Sequence, residues 1–197
     1  ALLYTKYPKY LPIDENHPLN PQSPYGVSKV FAYNMTRHYR RAYQLFACNG
    51  ILFNHTSPRR GSNFVESKVI KAAVRIKLGL QDKLELGNIE SFRDWGHSKD
   101  YVRGMHQIIN NKLPDDFVIA TGVTHSVKEM CEYVFSKLNL KLEDHLVINE
   151  KFMRPDELKY LKGDSSKIRR ELSWKPEYTF EAIIDEMLKY NLDLYSK

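Results

Sequence analysis

Two tyrosine–lysine pairs in the sequence have a spacing that proton-transfer chemistry can use. In QSPYGVSK, residues 22–29, Tyr25 precedes Lys29 by four positions, and in YVFSK Tyr133 precedes Lys137 by the same interval. Residues four apart on a helix share a face, so the ammonium group lies near the phenol. A neighbouring positive charge favours the phenolate and lets a tyrosine accept a proton from a substrate hydroxyl. Roughly one such pair arises by chance, so the spacing alone does not choose between them.

The segments around the two pairs differ. Tyr133 and Lys137 lie inside a strongly amphipathic helical pattern, where a boundary aromatic residue and a solvated lysine are expected. Tyr25 opens a predicted helix over about 25–43, directly after the proline-rich loop 5–24. Loops of that length are usually functional, and a side chain that follows one can face a cleft. The context therefore favours the first pair for chemistry.

The rest of the chain alternates predicted strands and helices. Ser126 and Glu129 form a capping box, and the apolar stripe of the helix that follows consists of Val127, Met130, Cys131, Val134 and Leu138. The other predicted elements are a strand in LFACNGILFN, a helix over about 64–80, a strand near LELGN, a loop leading into a helix within DWGHSKDYVRGMHQIINN, a strand in DFVIATG ending at Gly122, a small helix after KGDSS and a last helix over about 180–195. This alternation predicts an α/β fold with connections suited to parallel strands.

Composition limits the classes of protein. A chain of 197 residues with 42% hydrophobic and 27% charged residues can bury a core, and is not typical of disordered or fibrous proteins. No apolar run reaches the roughly 18 residues that span a bilayer, and the first residues lack a signal-peptide pattern. Cys48 and Cys131 lie in apolar segments, which predicts reduced core thiols in a cytoplasmic protein.

The charge pattern favours small anionic ligands. The net charge is +6, but basic residues are spread along the chain and interrupted by acidic ones, except in RHYRR and SPRR. This distribution predicts local phosphate sites, with no nucleic-acid partner and no membrane surface. An RNA-binding module is disfavoured because no aromatic platform motif is present. The seven histidines show no zinc-type spacing, so no metal is expected.

Ordered blocks along the whole chain resemble one enzyme family. SPYGVSK is followed by NGILFNHTSPRRGSNFV, LGNIESFRDWGHSKDYV, FVIATG, RPDEL and LSWKP, a series that resembles the GDP-mannose 4,6-dehydratases of the extended short-chain dehydrogenase/reductase group. The resemblance implies the C-terminal part of a Rossmann-like, doubly wound parallel sheet plus a small α/β substrate-binding lobe. It places the last elements of the cofactor-binding domain at 1–60, with 84–122 partly returning to it, and the lobe that binds the GDP-sugar mainly at 61–197.

The resemblance also implies a reaction. In that family NADP takes hydride from C4 of GDP-mannose, water is eliminated across C5 and C6, and hydride returns to C6. The product, GDP-4-keto-6-deoxymannose, is the first intermediate towards GDP-fucose and related deoxysugars. The cofactor is regenerated in each turnover, so the enzyme is a hydro-lyase. Tyr25 matches the base of the family, and Lys29 matches the lysine that holds the nicotinamide ribose and promotes ionisation of the tyrosine.

Further residues match binding positions of the family. Those that match cofactor contacts, besides Lys29, are Asn54, His55 and Arg60. They follow a buried strand, where open α/β sheets bind ligands, although a surface turn with solvated arginines would give the same pattern. Those that match contacts to the nucleotide-sugar are Asn63, Lys68, Arg93, Arg154 and Glu157. Arginine and lysine suit the diphosphate; for Arg93, an ion pair with Asp94 or Asp100 is the competing interpretation.

Two departures from the family pattern bear on activity. No glycine-rich turn between a strand and a helix occurs in the sequence, so a cradle for the dinucleotide pyrophosphate is not among these residues. Leu2 stands at the position of a family glutamate that works in the elimination, and Thr5 at the position of a glycine. We therefore expect a C-terminal portion that is inactive alone, belonging to a longer enzyme that forms a homodimer or homotetramer. The alternative is a truncated, catalytically inactive nucleotide-sugar-binding or oligomerising remnant of the family.

Overall fold

The computed structural model describes residues 11–153 and 158–195, in which helices and strands alternate. The helices are α1 Pro24–Tyr43, α2 Val65–Lys77, α3 Ser98–Ile109, α4 Val127–Lys137, α5 Ser166–Leu172 and α6 Phe180–Tyr195. The strands are β1 Asn49–Leu52, β2 Asn54–Thr56, β3 Leu84–Leu86, β4 Phe92–Arg93, β5 Trp95–His97, β6 Asp116–Ile119, β7 His125–Ser126, β8 Leu146–Ile148 and β9 Tyr160–Leu161. The predicted α/β class is confirmed.

The described residues form two compact units. Unit 1 contains residues 11–55, 94–124 and 160–177, and unit 2 contains residues 56–93, 125–153, 158–159 and 178–195. Each unit is assembled from segments that are far apart in the sequence, so no single boundary along the chain separates the two.

A parallel strand pair forms the centre of unit 1. β1 pairs with β6, in a register that runs from Asn49 opposite Asp116 to Leu52 opposite Ile119. β6 is buried along its whole length, as expected of a parallel strand covered on both faces. α3 and α5 pack against β6, and the buried cluster of this region consists of Tyr101, Ile108, Phe117, Ile119, Ile168 and Trp174. Burying a large apolar side chain of this kind contributes about 1.5–3 kcal/mol.

α1 begins at a well-formed cap and is tied to β6. The Ser23 hydroxyl accepts a hydrogen bond from the Gly26 backbone N–H at 3.0 Å, and Pro24 occupies the first position of the helix. Both features are typical of helix starts. Further along α1, the Arg40 guanidinium donates to the Asp116 carboxylate at 2.8 Å. The cap and this ion pair together fix where α1 starts and which face it turns towards β6.

Much of the apolar surface of α1 is exposed. Its buried residues are Gly26 and Tyr33, whereas Val27 is 55% and Phe31 is 67% exposed. The face that packs within unit 1 is therefore the one that carries Tyr33 and Arg40. An amphipathic pattern alone would have assigned Val27 and Phe31 to the core.

Asp94 organises the segment that follows β6. Its fully buried carboxylate accepts hydrogen bonds from the Thr121 backbone N–H at 2.8 Å, the Thr121 hydroxyl at 2.6 Å, the Gly122 N–H at 2.9 Å and the Gly163 N–H at 3.3 Å. Gly122 has a φ angle of 81°, which glycine adopts without strain. Burial raises the pKa of Asp94, although these hydrogen bonds oppose the shift. Asp94 thereby fixes the chain at the carboxyl end of β6.

Three helices form the core of unit 2. α2 packs against α4 and α6, and α4 packs against α6. The predicted capping box of α4 is confirmed, since the Glu129 N–H donates to the Ser126 hydroxyl at 3.0 Å and the Ser126 N–H donates to the Glu129 carboxylate at 2.9 Å. The predicted stripe of α4 is buried: Val127, Met130, Cys131, Val134 and Leu138. β3 pairs in parallel with β8, and β4 pairs antiparallel with β7.

The helices agree with the sequence predictions better than the strands do. The helices predicted over about 25–43, 64–80 and 180–195 are confirmed to within a few residues as α1, α2 and α6. The strand predicted to end at Gly122 ends at Ile119, because Asp94 takes up the backbone N–H groups of the following residues. Strands of two or three residues are too short to show a period of two. In the described part of the chain, no helix is both long and apolar enough to cross a bilayer.

Candidate active site

Tyr25 and Lys29 lie in the exposed first turns of α1. Tyr25 is 58% exposed, and Lys29 Nζ lies 5.3 Å from the centroid of the Tyr25 ring. The four-residue spacing produces this contact, and the Ser23 cap sets where the helix begins. No carboxylate among the described residues pairs with Lys29. The ammonium charge therefore stands beside the phenol without an acidic neighbour in this part of the chain.

The second tyrosine–lysine pair has the same spacing and a different environment. Lys137 Nζ lies 5.0 Å from the Tyr133 ring centroid. The Asp185 carboxylate accepts from the Tyr133 hydroxyl at 3.1 Å and from Lys137 Nζ at 2.9 Å. Burial raises the pKa of Tyr133, with a further contribution from Asp185 that the Lys137 hydrogen bond opposes. Asp185 thus engages both groups, and the Tyr133 phenol loses its proton less readily than a free phenol.

Asn54 and His55 lie just beyond the carboxyl end of β1. Phe53, which is 1% exposed, separates them from the strand. His55 Nδ1 lies 2.9 Å from the Phe53 carbonyl oxygen and must donate to it, so neutral His55 carries its proton on Nδ1. The His55 ring stacks on Tyr101, with centroids 4.6 Å apart and ring planes at 26°. Both polar side chains are thus placed at the sheet edge where open α/β folds bind ligands.

Arg60 is held in place before α2 begins. Its Nε donates to the buried Glu66 carboxylate at 3.0 Å, and its guanidinium lies 3.4 Å from the centroid of the Phe64 ring. Burial raises the pKa of Glu66, and the Arg60 charge acts in the opposite direction. The Ser67 hydroxyl donates to the Arg60 carbonyl oxygen at 2.9 Å. Arg60 is therefore a fixed cation and differs from the solvated surface arginine that the sequence left open.

The residues predicted to contact the nucleotide-sugar are only partly described. Asn63 is exposed and precedes α2. Lys68, on α2, has its Nζ 3.8 Å from the centroid of the Phe152 ring, a cation–π contact that limits the motion of its long side chain. Arg93 is half-buried at the end of β4 and donates to the Phe92 carbonyl oxygen at 2.8 Å. Arg154 and Glu157 lie outside the described residues.

Most of the sequence matches one family model. The model described as GDP-mannose 4,6 dehydratase matches residues 4–187. The chain belongs to this family. GDP-mannose 4,6 dehydratase 1 of Arabidopsis thaliana is 48% identical over 183 residues, which cover 93% of this chain and 51% of that protein. The Homo sapiens enzyme is 40% identical over 201 residues, covering 93% of this chain and 54% of the relative. The chain thus spans about half the length of these dehydratases.

Two solved structures share the fold at a lower sequence identity than these dehydratases. A Pseudomonas aeruginosa protein named RMD, solved with NADPH, has a TM-score of 0.89 and 22% identity over 98% of this chain and 64% of that one. UDP-glucose 4-epimerase from Thermotoga maritima, solved with UDP-glucose, has a TM-score of 0.86 and 20% identity over 98% and 61%. Likeness at this identity shows the fold alone, which is the Rossmann-like α/β fold expected of the dehydratase family.

Three partners of the predicted site residues and of the second tyrosine–lysine pair could not be found from the sequence. They are Asp185, which engages the second pair, Glu66, which holds Arg60, and Tyr101, which stacks on His55. Glu66 is six residues from Arg60 and is the only one of the three with a local signal, an acidic residue in the first turn of α2. The other two reach their partners from distant segments of the chain.

Proposed function

We propose that the protein acts as a GDP-mannose 4,6 dehydratase, a hydro-lyase that converts GDP-mannose to GDP-4-keto-6-deoxymannose with NADP. The observation that carries this proposal is the family match over residues 4–187. The structure supports the choice of the reactive pair. Tyr25 is exposed beside the Lys29 ammonium, whereas Tyr133 and Lys137 are both engaged by Asp185.

The described residues of unit 1 fit the nicotinamide end of the cofactor. Lys29 offers an ammonium group, and Asn54 and His55 offer an amide and an imidazole beyond the carboxyl end of β1. The Lys29 ammonium and the Asn54 amide can donate to ribose hydroxyl or nicotinamide carboxamide oxygens, and His55 Nε2 can accept from a ribose hydroxyl because the ring carries its proton on Nδ1. NADP, when bound, supplies the acceptor of the C4 hydride and the donor of that hydride to C6. We assign only this end of the cofactor to these residues, since the sequence contains no glycine-rich turn.

Tyr25 carries the proton transfer at C4 in this proposal. As a phenolate it takes the proton of the C4 hydroxyl while the C4 hydrogen leaves with its electron pair, so that C4–OH becomes C4=O. Lys29 Nζ, 5.3 Å from the centroid of the Tyr25 ring, is the positively charged neighbour of the phenol in this step. Loss of the C5 proton and the C6 hydroxyl releases one water and leaves a C5=C6 double bond; addition of the hydride at C6 and of one proton at C5 saturates that bond, with no net oxidation. Leu2, at the position of the family's elimination glutamate, lies outside the described residues, and we assign it no step.

Unit 2 supplies the cations for the nucleotide-sugar. Lys68 and Arg93 suit the diphosphate, Lys68 as a point charge and Arg93 as a planar fork. The position of Lys68 over Phe152 supports this role, because a cation already oriented loses less conformational entropy on binding. Asn63 is assigned to the same ligand, and Arg60 to the cofactor, on the strength of the family match. Arg154 and Glu157, also assigned to the nucleotide-sugar, complete the set.

An isotope experiment tests the function. The complete open reading frame that encodes residues 1–197 is expressed, and the product is incubated with NADP and GDP-mannose deuterated at C4. Since the hydride leaves C4 and returns to C6, we expect loss of one water by mass spectrometry and deuterium at C6 by NMR. Binding of GDP-mannose without conversion would refute the proposal and would support the catalytically inactive remnant.

Matched variants test the assignment of the base. Tyr25→Phe should lower kcat by about 10²–10⁴-fold, the range for loss of a general base. Tyr133→Phe removes the same hydroxyl from the decoy pair, and kcat should stay within about twofold because Tyr133 is bound to Asp185. Wild-type turnover in Tyr25→Phe would remove Tyr25 from the mechanism while leaving the overall reaction intact.

Oligomeric state and location form the last part of the proposal. The exposed apolar residues of α1, such as Val27 and Phe31, support a homodimer or homotetramer of the complete protein. Analytical ultracentrifugation of the expressed open reading frame tests this, and a monomer at micromolar concentration would contradict it. Cys48 and Cys131 form no disulfide, which supports a reducing, cytoplasmic location. Fluorescent tagging of the protein in its own cell tests that location.

A further inference from the structure

Tyr101 is a buried phenol that the proposed reaction does not use. It lies on α3, is 0% exposed, and has no hydrogen-bond partner for its hydroxyl among the described residues. Leaving a buried hydroxyl unpaired costs about 1–3 kcal/mol, so the position is not one that stability alone would favour for tyrosine. Burial raises the pKa of Tyr101 well above its ordinary value, and the phenol stays neutral at any working pH. Tyr101 therefore cannot act as a second base.

The ring of Tyr101 stacks against one face of the His55 imidazole. The two ring centroids are 4.6 Å apart and the planes differ by 26°, an arrangement worth more than the buried area alone. The hydrogen bond from His55 Nδ1 to the Phe53 carbonyl oxygen, at 2.9 Å, fixes the rotation of the imidazole within its plane. The stack fixes the tilt of that plane. The two contacts together define which way the other ring nitrogen, Nε2, points.

Tyr101 is itself held rigidly. Trp174 packs its edge against the Tyr101 ring, with centroids 6.4 Å apart and planes at 88°, and the Trp174 indole N–H donates to the Asp100 carbonyl oxygen at 2.9 Å. Gly96 leaves the space that the ring occupies, since a Cβ at this position would lie 2.3 Å from Tyr101 Cε2. The Tyr101 ring that stacks on His55 is therefore held in a fixed position, and a side chain at residue 96 would displace it.

We propose that Tyr101 is a positioning residue, which acts through His55 on the binding of the nicotinamide ribose of the cofactor. The proposal rests on the proposed function in one respect, the role of His55 as a cofactor contact. The aromatic ring provides the effect and the hydroxyl does not. Phenylalanine should therefore replace Tyr101 without loss, whereas an aliphatic residue should release the imidazole.

The first measurement does not depend on cofactor or activity. In the expressed open reading frame, ¹H–¹⁵N NMR optimised for two-bond couplings reports the tautomer of each histidine, and His55 should show the Nδ1–H form with ring protons shifted upfield by the stack. NOEs between the His55 and Tyr101 ring protons should be present in the wild type. Tyr101→Phe should keep both signatures. Tyr101→Leu should lose the upfield shift and show a mixture of the two tautomers.

Gly96→Ala gives an independent perturbation that touches neither ring chemically. Its methyl group collides with Tyr101 Cε2, so the His55 signature should change as it does in Tyr101→Leu. Trp95 and Trp174 emission verifies that each variant is folded. If both variants fail to fold, the wild-type NOEs and the Tyr101→Phe comparison decide: absent NOEs, or a changed tautomer in Tyr101→Phe, would overturn the proposal.

The second measurement links the ring to the cofactor. The expressed open reading frame is titrated with NADPH by fluorescence, and Kd should rise about three- to tenfold in Tyr101→Leu, as expected for loss of an aromatic pair. In Tyr101→Phe, Kd should equal that of the wild type. A wild-type Kd in Tyr101→Leu would overturn the proposal. Absence of NADPH binding in the wild type would overturn the proposed function instead, and the NMR result for the His55–Tyr101 pair would stand.

Discussion

Replacing Asp94 by asparagine tests whether one buried carboxylate holds the segment after β6. In Asp94→Asn an NH₂ group replaces one carboxylate oxygen, so either the two donors of Thr121 or the N–H groups of Gly122 and Gly163 lose their acceptor. Two buried donors left unpaired would cost about 2–6 kcal/mol, at about 1–3 kcal/mol each. Removal of the buried charge, whose cost is evident in the raised pKa of Asp94, offsets part of this, and we expect a net loss of about 3 kcal/mol.

Tryptophan emission isolates the unit in which this loss occurs. Trp95 and Trp174 are the two tryptophans of the chain, both are buried, and both belong to unit 1. Urea unfolding followed at these residues therefore reports the free energy of unfolding of unit 1. With a slope of about 1–3 kcal/mol per molar urea, a loss of about 3 kcal/mol lowers the midpoint by about 1–3 M. The slope itself should not change.

Asp115→Asn is the matched control. The Asp115 carboxylate is 49% exposed and pairs with Lys167 Nζ at 2.5 Å. Because half-exposed ion pairs are screened by solvent, the same chemical change there should cost less than about 1 kcal/mol. Equal midpoints for Asp94→Asn and Asp115→Asn would refute the reasoning, since they would mean that the four hydrogen bonds of Asp94 do not hold the segment.

Two further predictions use the shifted pKa values. Burial raises the pKa of Cys131 to about 12, so a thiol reagent at about pH 8 should label Cys48 in the folded chain and Cys131 only after denaturation; two equally fast thiols would contradict this. Burial also raises the pKa of Glu66, so the stability it contributes is present below its ordinary pKa and lost as pH rises through the folded value. Hydrogen exchange of the α2 amides should show that the wild type loses stability relative to Glu66→Gln as pH rises from the ordinary pKa of a glutamate to the raised pKa of Glu66. A stability difference that does not change with pH would contradict this prediction.

Local sequence signals were sufficient for the long helices, and they favoured the first tyrosine–lysine pair, which stays a prediction. α4 carries its capping box and its apolar stripe within twelve or so residues, and both kinds of signal act over one or two turns. Tyr25 was favoured because a proline-rich loop precedes it, and the structure leaves its side chain 58% exposed. The family itself was recognisable because its blocks occur in order along the chain.

The carboxylate that engages the second tyrosine–lysine pair could not be predicted, because packing brings it from a distant segment of the chain. Asp185 reaches Tyr133 across 52 positions of sequence and Lys137 across 48. No local pattern encodes either contact. In α1 the local pattern was informative but incomplete. Its amphipathic pattern specifies a helix and leaves open which face of that helix is buried.

Residue type and spacing therefore determine what chemistry a side chain could perform. The tertiary structure determines whether neighbouring groups leave that side chain free to perform it. Tyr25 with Lys29 and Tyr133 with Lys137 are identical in spacing and nearly identical in ring-to-ammonium distance, at 5.3 and 5.0 Å. The difference between them is the carboxylate of Asp185, which lies on α6, a helix that packs against α4. Its position depends on how apolar helix faces are buried together, which is a property of the whole unit, whereas the helical spacing is a property of a few consecutive residues.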